Sequence, residues 1–188
     1  MEGLRAVIFG RQGAGKGTQS VRLADQCGVP HISTGDMLRA AVEEGTEFGR
    51  KADEYMSAGN LVTDDVKIGV VRERLAKPDA VDHGFLLDGF PRTQGQAEEL
   101  LGITGASGID AAINLDVPLD VVTDRMKARG RADDTEEAIA RRLELYELET
   151  APVLEWFDDK GLLVTVDGVG SEDEVFERLL SAIDRLHA

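Results

Sequence analysis

The chain holds one cysteine, Cys27, among 188 residues. It can close no internal disulfide and offers no cysteine pair for a structural zinc, so a reducing interior is its expected home. Long apolar runs are also missing. No window approaches the roughly 18 consecutive apolar residues of a membrane-spanning helix, and the opening Met-Glu-Gly-Leu-Arg carries neither the basic leader nor the apolar stretch of a secretory signal. A cytoplasmic protein with no membrane role is the expectation. Positive charge is scarce as well, with 21 Lys and Arg against 36 Asp and Glu and a net charge of −15. Such a surface repels polyanions, which excludes nucleic acid or an anionic membrane as the main partner and requires any phosphate site to be locally basic.

What is there is the material of a folded domain. Hydrophobic residues make up 42% and charged residues 30%, enough to bury a core, and the length suits one domain over residues 1–188 with an inserted lobe or lid. Apolar runs alternate with amphipathic stretches, the pattern of parallel strands joined by crossover helices, and predict an α/β fold. Strands are expected at Arg5 to Phe9, His31 to Ser33, Phe85 to Asp88, Ala111 to Val117 and Leu162 to Val166. Helices are expected over 16–27, 35–44, 47–58, 64–77, 94–101, 119–129 and 135–160, several stopping at glycine (Gly28, Gly45, Gly59, Gly102, Gly161), where a left-handed ending costs least. Gly102 to Gly108 reads as a surface connector. A last helix opens at the capping box Ser171-Glu-Asp-Glu174 and lines Val175, Phe176, Leu179, Leu180, Ile183 and Leu186 along one face. Residues 34–62 hold more helix than a compact crossover needs, and 125–134 form a short basic stretch between helices; both read as insertions able to move.

The strongest chemical signal is Gly10-Arg-Gln-Gly-Ala-Gly15-Lys16-Gly17-Thr18, set between a strand and a helix. Glycines turn the backbone so that successive N–H groups face inward, the helix start adds positive potential, and Lys16 adds a full charge; together they suit a polyphosphate. Gly17 stands where a Ser or Thr usually touches magnesium, so the ion is expected to rest mainly on phosphates and water. A second segment, Ser33-Thr34-Gly35-Asp36-Met-Leu-Arg39, places Ser33 or Thr34 at a helix N-cap with an arginine beyond it. A third leaves a buried strand as Asp88-Gly89-Phe90-Pro91-Arg92. Both lie at carboxyl ends of strands, where open parallel sheets gather ligands, and Asp88 is a candidate for holding magnesium through water. Arg125, Lys127, Arg129 and Arg131 crowd four cations into seven residues without an acid, and Arg141 and Arg142 follow. A solvated helix face explains Lys127 and Arg141; an arginine clamp around phosphoryl groups explains the rest, with Gly130 as a hinge. Asp133, Asp134, Thr135, Glu136 and Glu137 then cap the next helix and supply acids to pair with these cations. His31, His83 and His187 show no acidic partner.

These motifs together resemble the adenylate kinases, essentially end to end. The resemblance rests on GRQGAGKGTQ (10–19), STGDMLR (33–39), GNLVTDD (59–65), GFLLDGFPRT (84–93), the arginines of 124–131 and DDTEEAIARRL (133–143). It implies a five-stranded parallel sheet of the P-loop kinase type, an AMP-binding lobe over 34–63, a short lid over 126–135, and the reaction Mg·ATP + AMP ⇌ 2 ADP in nucleotide biosynthesis. On the ATP side it implies Gly13, Ala14, Gly15, Lys16, Gly17, Thr18, Arg125, Arg129 and the main chain near Gly170. On the AMP side it implies Thr34, Arg39, Val62, Gly89, Arg92 and Gln96. Arg131 and Arg142 serve the transferred phosphoryl and reach AMP; Lys16, Asp88, Arg92 and Arg125 complete the catalytic group. Gln12 replaces a proline common in that loop, and the short lid has no cysteine, so zinc is expected to be absent. A monomer using Mg²⁺ is implied. A UMP/CMP kinase on the same scaffold, or a nucleotide-binding protein without activity, are the rival readings.

Overall fold

Strand β1 (Arg5–Phe9) is apolar and buried on both faces from Ala6 to Phe9, as a central parallel strand must be. It pairs in parallel with β3 (Phe85–Asp88) on one side and β4 (Ala111–Asp116) on the other. The strands β2 (His31–Ser33) and β5 (Leu163–Asp167) form the edges, giving the order β2-β3-β1-β4-β5 in the computed structural model, which describes residues 3–58, 60–105, 108–129 and 135–185. The expected five-stranded parallel α/β sheet is therefore present. Register sets Ile8 and Ser33 both beside Asp88, so the carboxyl ends of β1, β2 and β3 open together.

The two-residue period of the strands divides the core between two faces. Ala6, Ile8, Leu86 and Ile113 bury against Leu23 of α1 (Lys16–Cys27), Val122 of α7 (Leu119–Arg129) and Leu179 of α10 (Glu172–Asp184). Val7, Phe9, Leu87 and Ala112 bury against Val70 of α4 (Asp64–Leu75), Leu100 of α6 (Gln94–Thr104) and Phe157 of α9 (Ala151–Asp158). A smaller cluster of Ala52, Val62 and Val66 joins α3 (Glu47–Ser57) to α4, beside α2 (Thr34–Glu44).

Several boundaries differ from the sequence expectation, each for a local reason. The helix expected over 64–77 ends at Leu75, and Pro78 starts a separate α5 (Pro78–His83), since a proline suits a first turn where no N–H is needed. Helix α6 runs through Gly102 and stops at Gly105, so Gly102 is helical rather than a stop and the connector after it is shorter. The stretch expected as one helix over 135–160 is α8 (Glu136–Leu145), a π turn over Tyr146–Thr150, and α9, which carries Pro152 in its first turn. Proline has no N–H to return to the preceding turn, and the wider turn absorbs the break. The capping box of α10 is present, with Val175, Leu179 and Ile183 buried; Leu186 and the expected stop at Gly59 lie outside the described residues.

Candidate active site

After β1 the chain passes through Gly10 and closes on Gly15, whose left-handed backbone (φ 97°) starts α1 with no side chain capping it. A helix start without a side-chain cap leaves its amides for an anion. The Lys16 ammonium donates to the carbonyls of Gly10 and Arg11 at 2.6 and 3.2 Å. Burial pushes its pKa below the ordinary lysine value; the Asp88 carboxylate opposes that and Arg92 adds to it.

The second segment folds differently from one of the two expected ways. Ser33 caps α2, its hydroxyl accepting from the Asp36 N–H at 3.3 Å. Thr34 is thereby free of capping and donates its hydroxyl to the Asp88 carbonyl at 3.1 Å. Arg39 forms an exposed ion pair with Asp36, one turn back. Beyond β3, Gly89 takes φ +86°, and a Cβ there would lie 2.8 Å from the Thr34 hydroxyl. Arg92 donates through Nε to the Gly89 carbonyl at 2.9 Å. Gln96 is buried; its Oε1 accepts from the Arg92 backbone N–H at 2.8 Å and its Nε2 donates to Asp64 Oδ1 at 2.9 Å. Val62 is buried in the small cluster of the 34–63 region.

On the opposite side Arg125 donates to the carbonyls of Gly13, Ala14 and Gly168 at 3.5, 3.4 and 3.2 Å, bridging the glycine-rich loop and the turn after β5 that carries Gly170. Lys127 and Arg141 pair with Glu136 and Glu144 in solvent, as a solvated face would have them. Thr135 is the side chain that caps α8, accepting from the Ala138 N–H at 3.2 Å. The side chain of Arg129, together with Gly130, Arg131, Asp133 and Asp134, lies outside the described residues, as do residues 130–134 of the expected hinge and lid as a whole.

The sheet brings the remaining residues to two adjoining cavities. One, about 450 Å³, is lined by Gly10, Lys16, Asp88, Gly89, Arg92 and Arg142. The other, about 480 Å³, is lined by Gly13, Gly15, Gly17, Thr18, Asp88 and Arg125. Lys16, Asp88 and Gln12 belong to both. Arg39 and Val62 line neither, and Thr34 and Gln96 reach the first only through hydrogen bonds to the backbone of Asp88 and Arg92.

Sequence reasoning missed three features. His31 does have an acidic neighbour: its buried Nε2, without a hydrogen-bond partner, stands 3.7 Å from the Asp88 carboxylate. Only parallel pairing of β2 with β3 brings the two together. His83 is on exposed α5, and His187 is outside the described residues. Arg11, in the loop itself, donates to Glu147 Oε1 at 2.7 Å and to the Val117 carbonyl at 3.2 Å, tying the loop to the π turn. Beside it burial pushes the Tyr146 phenol up to about 12, with Arg11 opposing. Asp64, the partner of Gln96, was visible only as one letter of a motif.

Among the described residues no three His, Cys, Asp or Glu gather for a metal. The cavity shared by Asp88 and Thr18 instead offers one carboxylate and one hydroxyl beside a phosphate cradle. Those hard oxygen donors fit Mg²⁺, an ion that keeps most of its shell on phosphates and water.

A glycine-lysine loop opening an uncapped helix, facing a strand-end carboxylate across a cleft flanked by arginines, defines a phosphate-loop protein of the nucleotide kinase class. Comparison with known proteins narrows this. The family model Adenylate kinase matches residues 8–162. An adenylate kinase of Nocardia farcinica is 52% identical over 184 residues, covering 97% of this chain and 100% of that protein. Adenylate kinases of Kocuria rhizophila and Stenotrophomonas maltophilia are 48% and 46% identical, each covering 96% of this chain and 99% of the relative. The chain belongs to the adenylate kinase family.

Proposed function

We propose that this chain catalyses Mg·ATP + AMP ⇌ 2 ADP by direct in-line transfer. The observation that carries the reading is the pair of cavities meeting at Lys16 and Asp88, one backed by the glycine-rich loop and Arg125, the other by Arg92 and Arg142. Two polyanions brought together need such intervening cations to offset their repulsion.

In this reading the donor's phosphates lie along Gly13 to Thr18, with Lys16 on the terminal ones and Arg125 and Arg129 beside the nucleotide. The acceptor's phosphate lies against Arg39 and Arg92, near Thr34, Val62 and Gly89, and Gln96 reads the base. An oxygen of that phosphate attacks the γ-phosphorus while the bond to the β–γ bridging oxygen breaks, yielding two ADP and no enzyme-bound intermediate. Arg131 and Arg142 stabilise the moving phosphoryl. Asp88 would hold Mg²⁺ through water, the rest of its shell lying on phosphates and water, and the ion supplies charge neutralisation on the donor phosphates when bound. Regions 34–63 and 126–135 act as lobe and short lid, excluding water so that ATP is not hydrolysed. No described helix is long and apolar enough to cross a membrane, and we place the enzyme in the cytoplasm as a monomer.

The test is kinetic. Lys16→Ala and Arg92→Ala are expected to lower kcat/KM by about 10²- to 10³-fold, the scale of losing one charge-stabilising group, while the melting temperature holds. Near-normal rates in either variant overturn the assigned roles.

A further inference from the structure

Gln96 is held at both ends of its amide by groups of fixed polarity. The Arg92 backbone N–H is a donor only, and Oε1 accepts from it at 2.8 Å. The Asp64 carboxylate is an acceptor only, and Nε2 donates to it at 2.9 Å. Turning the amide over sets carbonyl oxygen against carboxylate and N–H against N–H, so the partners dictate one orientation. Gln96 is 3% exposed, which prevents water from compensating a wrong turn. One hydrogen of Nε2 and one lone pair of Oε1 are left over.

We infer that Asp64 is a positioning residue that sets base selectivity by locking the Gln96 amide. The inference rests on the proposal that Gln96 reads the base of the monophosphate. Adenine presents an acceptor at N1 beside a donor at N6, whereas a 6-oxopurine presents a donor at N1–H beside an acceptor at O6. The two edges differ only in the order of donor and acceptor. A freely turning glutamine satisfies either, and an amide held at both ends satisfies one. Asp64 is the first residue of α4, 32 positions from Gln96, and Lys67 stands 3.5 Å from the same Oδ1, steadying the carboxylate. Selectivity is thereby wired to the helix that closes the 34–63 region.

The experiment measures kcat/KM with AMP and with inosine monophosphate, ATP as donor, for the parent and three variants. Asp64→Asn keeps the shape but can turn either Oδ1 or Nδ2 toward Gln96. It is expected to cut the AMP-to-IMP ratio about tenfold, the scale of one net hydrogen bond, with the change mainly in KM. Asp65→Asn removes a charge from the same first turn without touching Gln96 and is expected to leave the ratio within twofold. Gln96→Ala is expected to collapse it. A ratio unchanged in Asp64→Asn but collapsed in Gln96→Ala overturns the lock and leaves the base-reading role standing. An equal fall in Asp65→Asn assigns the effect to charge and also overturns it. A ratio unmoved in Gln96→Ala removes the base-reading role itself.

Discussion

The Thr34 hydroxyl donates to the Asp88 carbonyl at 3.1 Å, joining the first residue of α2 to the last of β3 across 54 positions of sequence. The lobe that begins at Thr34 is thus hung from the strand end that carries Asp88. The joint leaves no space at Gly89, where a Cβ would lie 2.8 Å from that hydroxyl and φ is +86°. Gly89→Ala is expected to cost about 1–3 kcal/mol through backbone strain and overpacking and to raise KM for AMP more than KM for ATP. Chemical denaturation with initial-rate kinetics checks both; equal stability and unchanged KM would refute the joint.

Lys16 gives the site a pH dependence whose sign follows from its lowered pKa. Folding holds this proton less tightly than the unfolded chain does, so the burial cost is full below the folded pKa and fades as pH rises through it toward the ordinary lysine range. A bound polyphosphate favours the ammonium. ATP binding should therefore take up a proton above the folded pKa, and ATP affinity should fall as pH climbs from that value toward the higher pKa of the ATP-bound lysine. Calorimetry in buffers of differing ionisation enthalpy is expected to show this uptake in the parent and not in Lys16→Met. The same uptake in both would locate the proton elsewhere.

Two helical glycines predict opposite outcomes for the same substitution. At Gly102 a Cβ meets nothing within 4 Å, and α6 is continuous there, so Gly102→Ala should stabilise by about 0.5–1 kcal/mol. At Gly69 a Cβ would fall 2.2 Å from the Phe48 ring, where α3 crosses α4. The helical gain of up to about 1 kcal/mol is outweighed by overpacking of about 1–3 kcal/mol or more. Gly69→Ala should lower the melting temperature, and adding Phe48→Ala should recover part of the clash while losing Phe48 packing. A shift of equal sign at both glycines would contradict this packing.

These pairs also show what the sequence can and cannot express. The glycine-rich loop was legible because its chemistry is local: strand, glycines, lysine and helix follow in nine residues, and β1 and α1 have the expected bounds. The strand at 85–88 was legible from its apolar run and the one at 31–33 as an extended piece after Pro30, and parallel register then placed Asp88 beside both Ser33 and Ile8. Gly102 misled because an exposed helix tolerates a glycine that nothing replaces. The π turn was not legible because Pro152 signals a break without specifying how the preceding turn absorbs it. Asp64 to Gln96, His31 to Asp88 and Arg11 to Glu147 are tertiary meetings with no signature of spacing.

Arg125 couples the glycine-rich loop to the turn after β5 through Gly13, Ala14 and Gly168. A lysine cannot span these three carbonyls with one fork. Arg125→Lys should raise KM for ATP about tenfold while KM for AMP changes less than twofold, measured by varying each substrate against saturating partner. Equal effects on both substrates would remove Arg125 from the donor side.

The central claim is that a nucleotide donor and a nucleotide acceptor meet at Lys16 and Asp88. The most direct test is the stoichiometry of ADP formed by the purified chain from ATP, AMP and Mg²⁺. Two ADP per AMP consumed, with negligible phosphate released from ATP alone, is the predicted result. No ADP from any monophosphate offered, or ADP matched one-for-one by free phosphate, would contradict it.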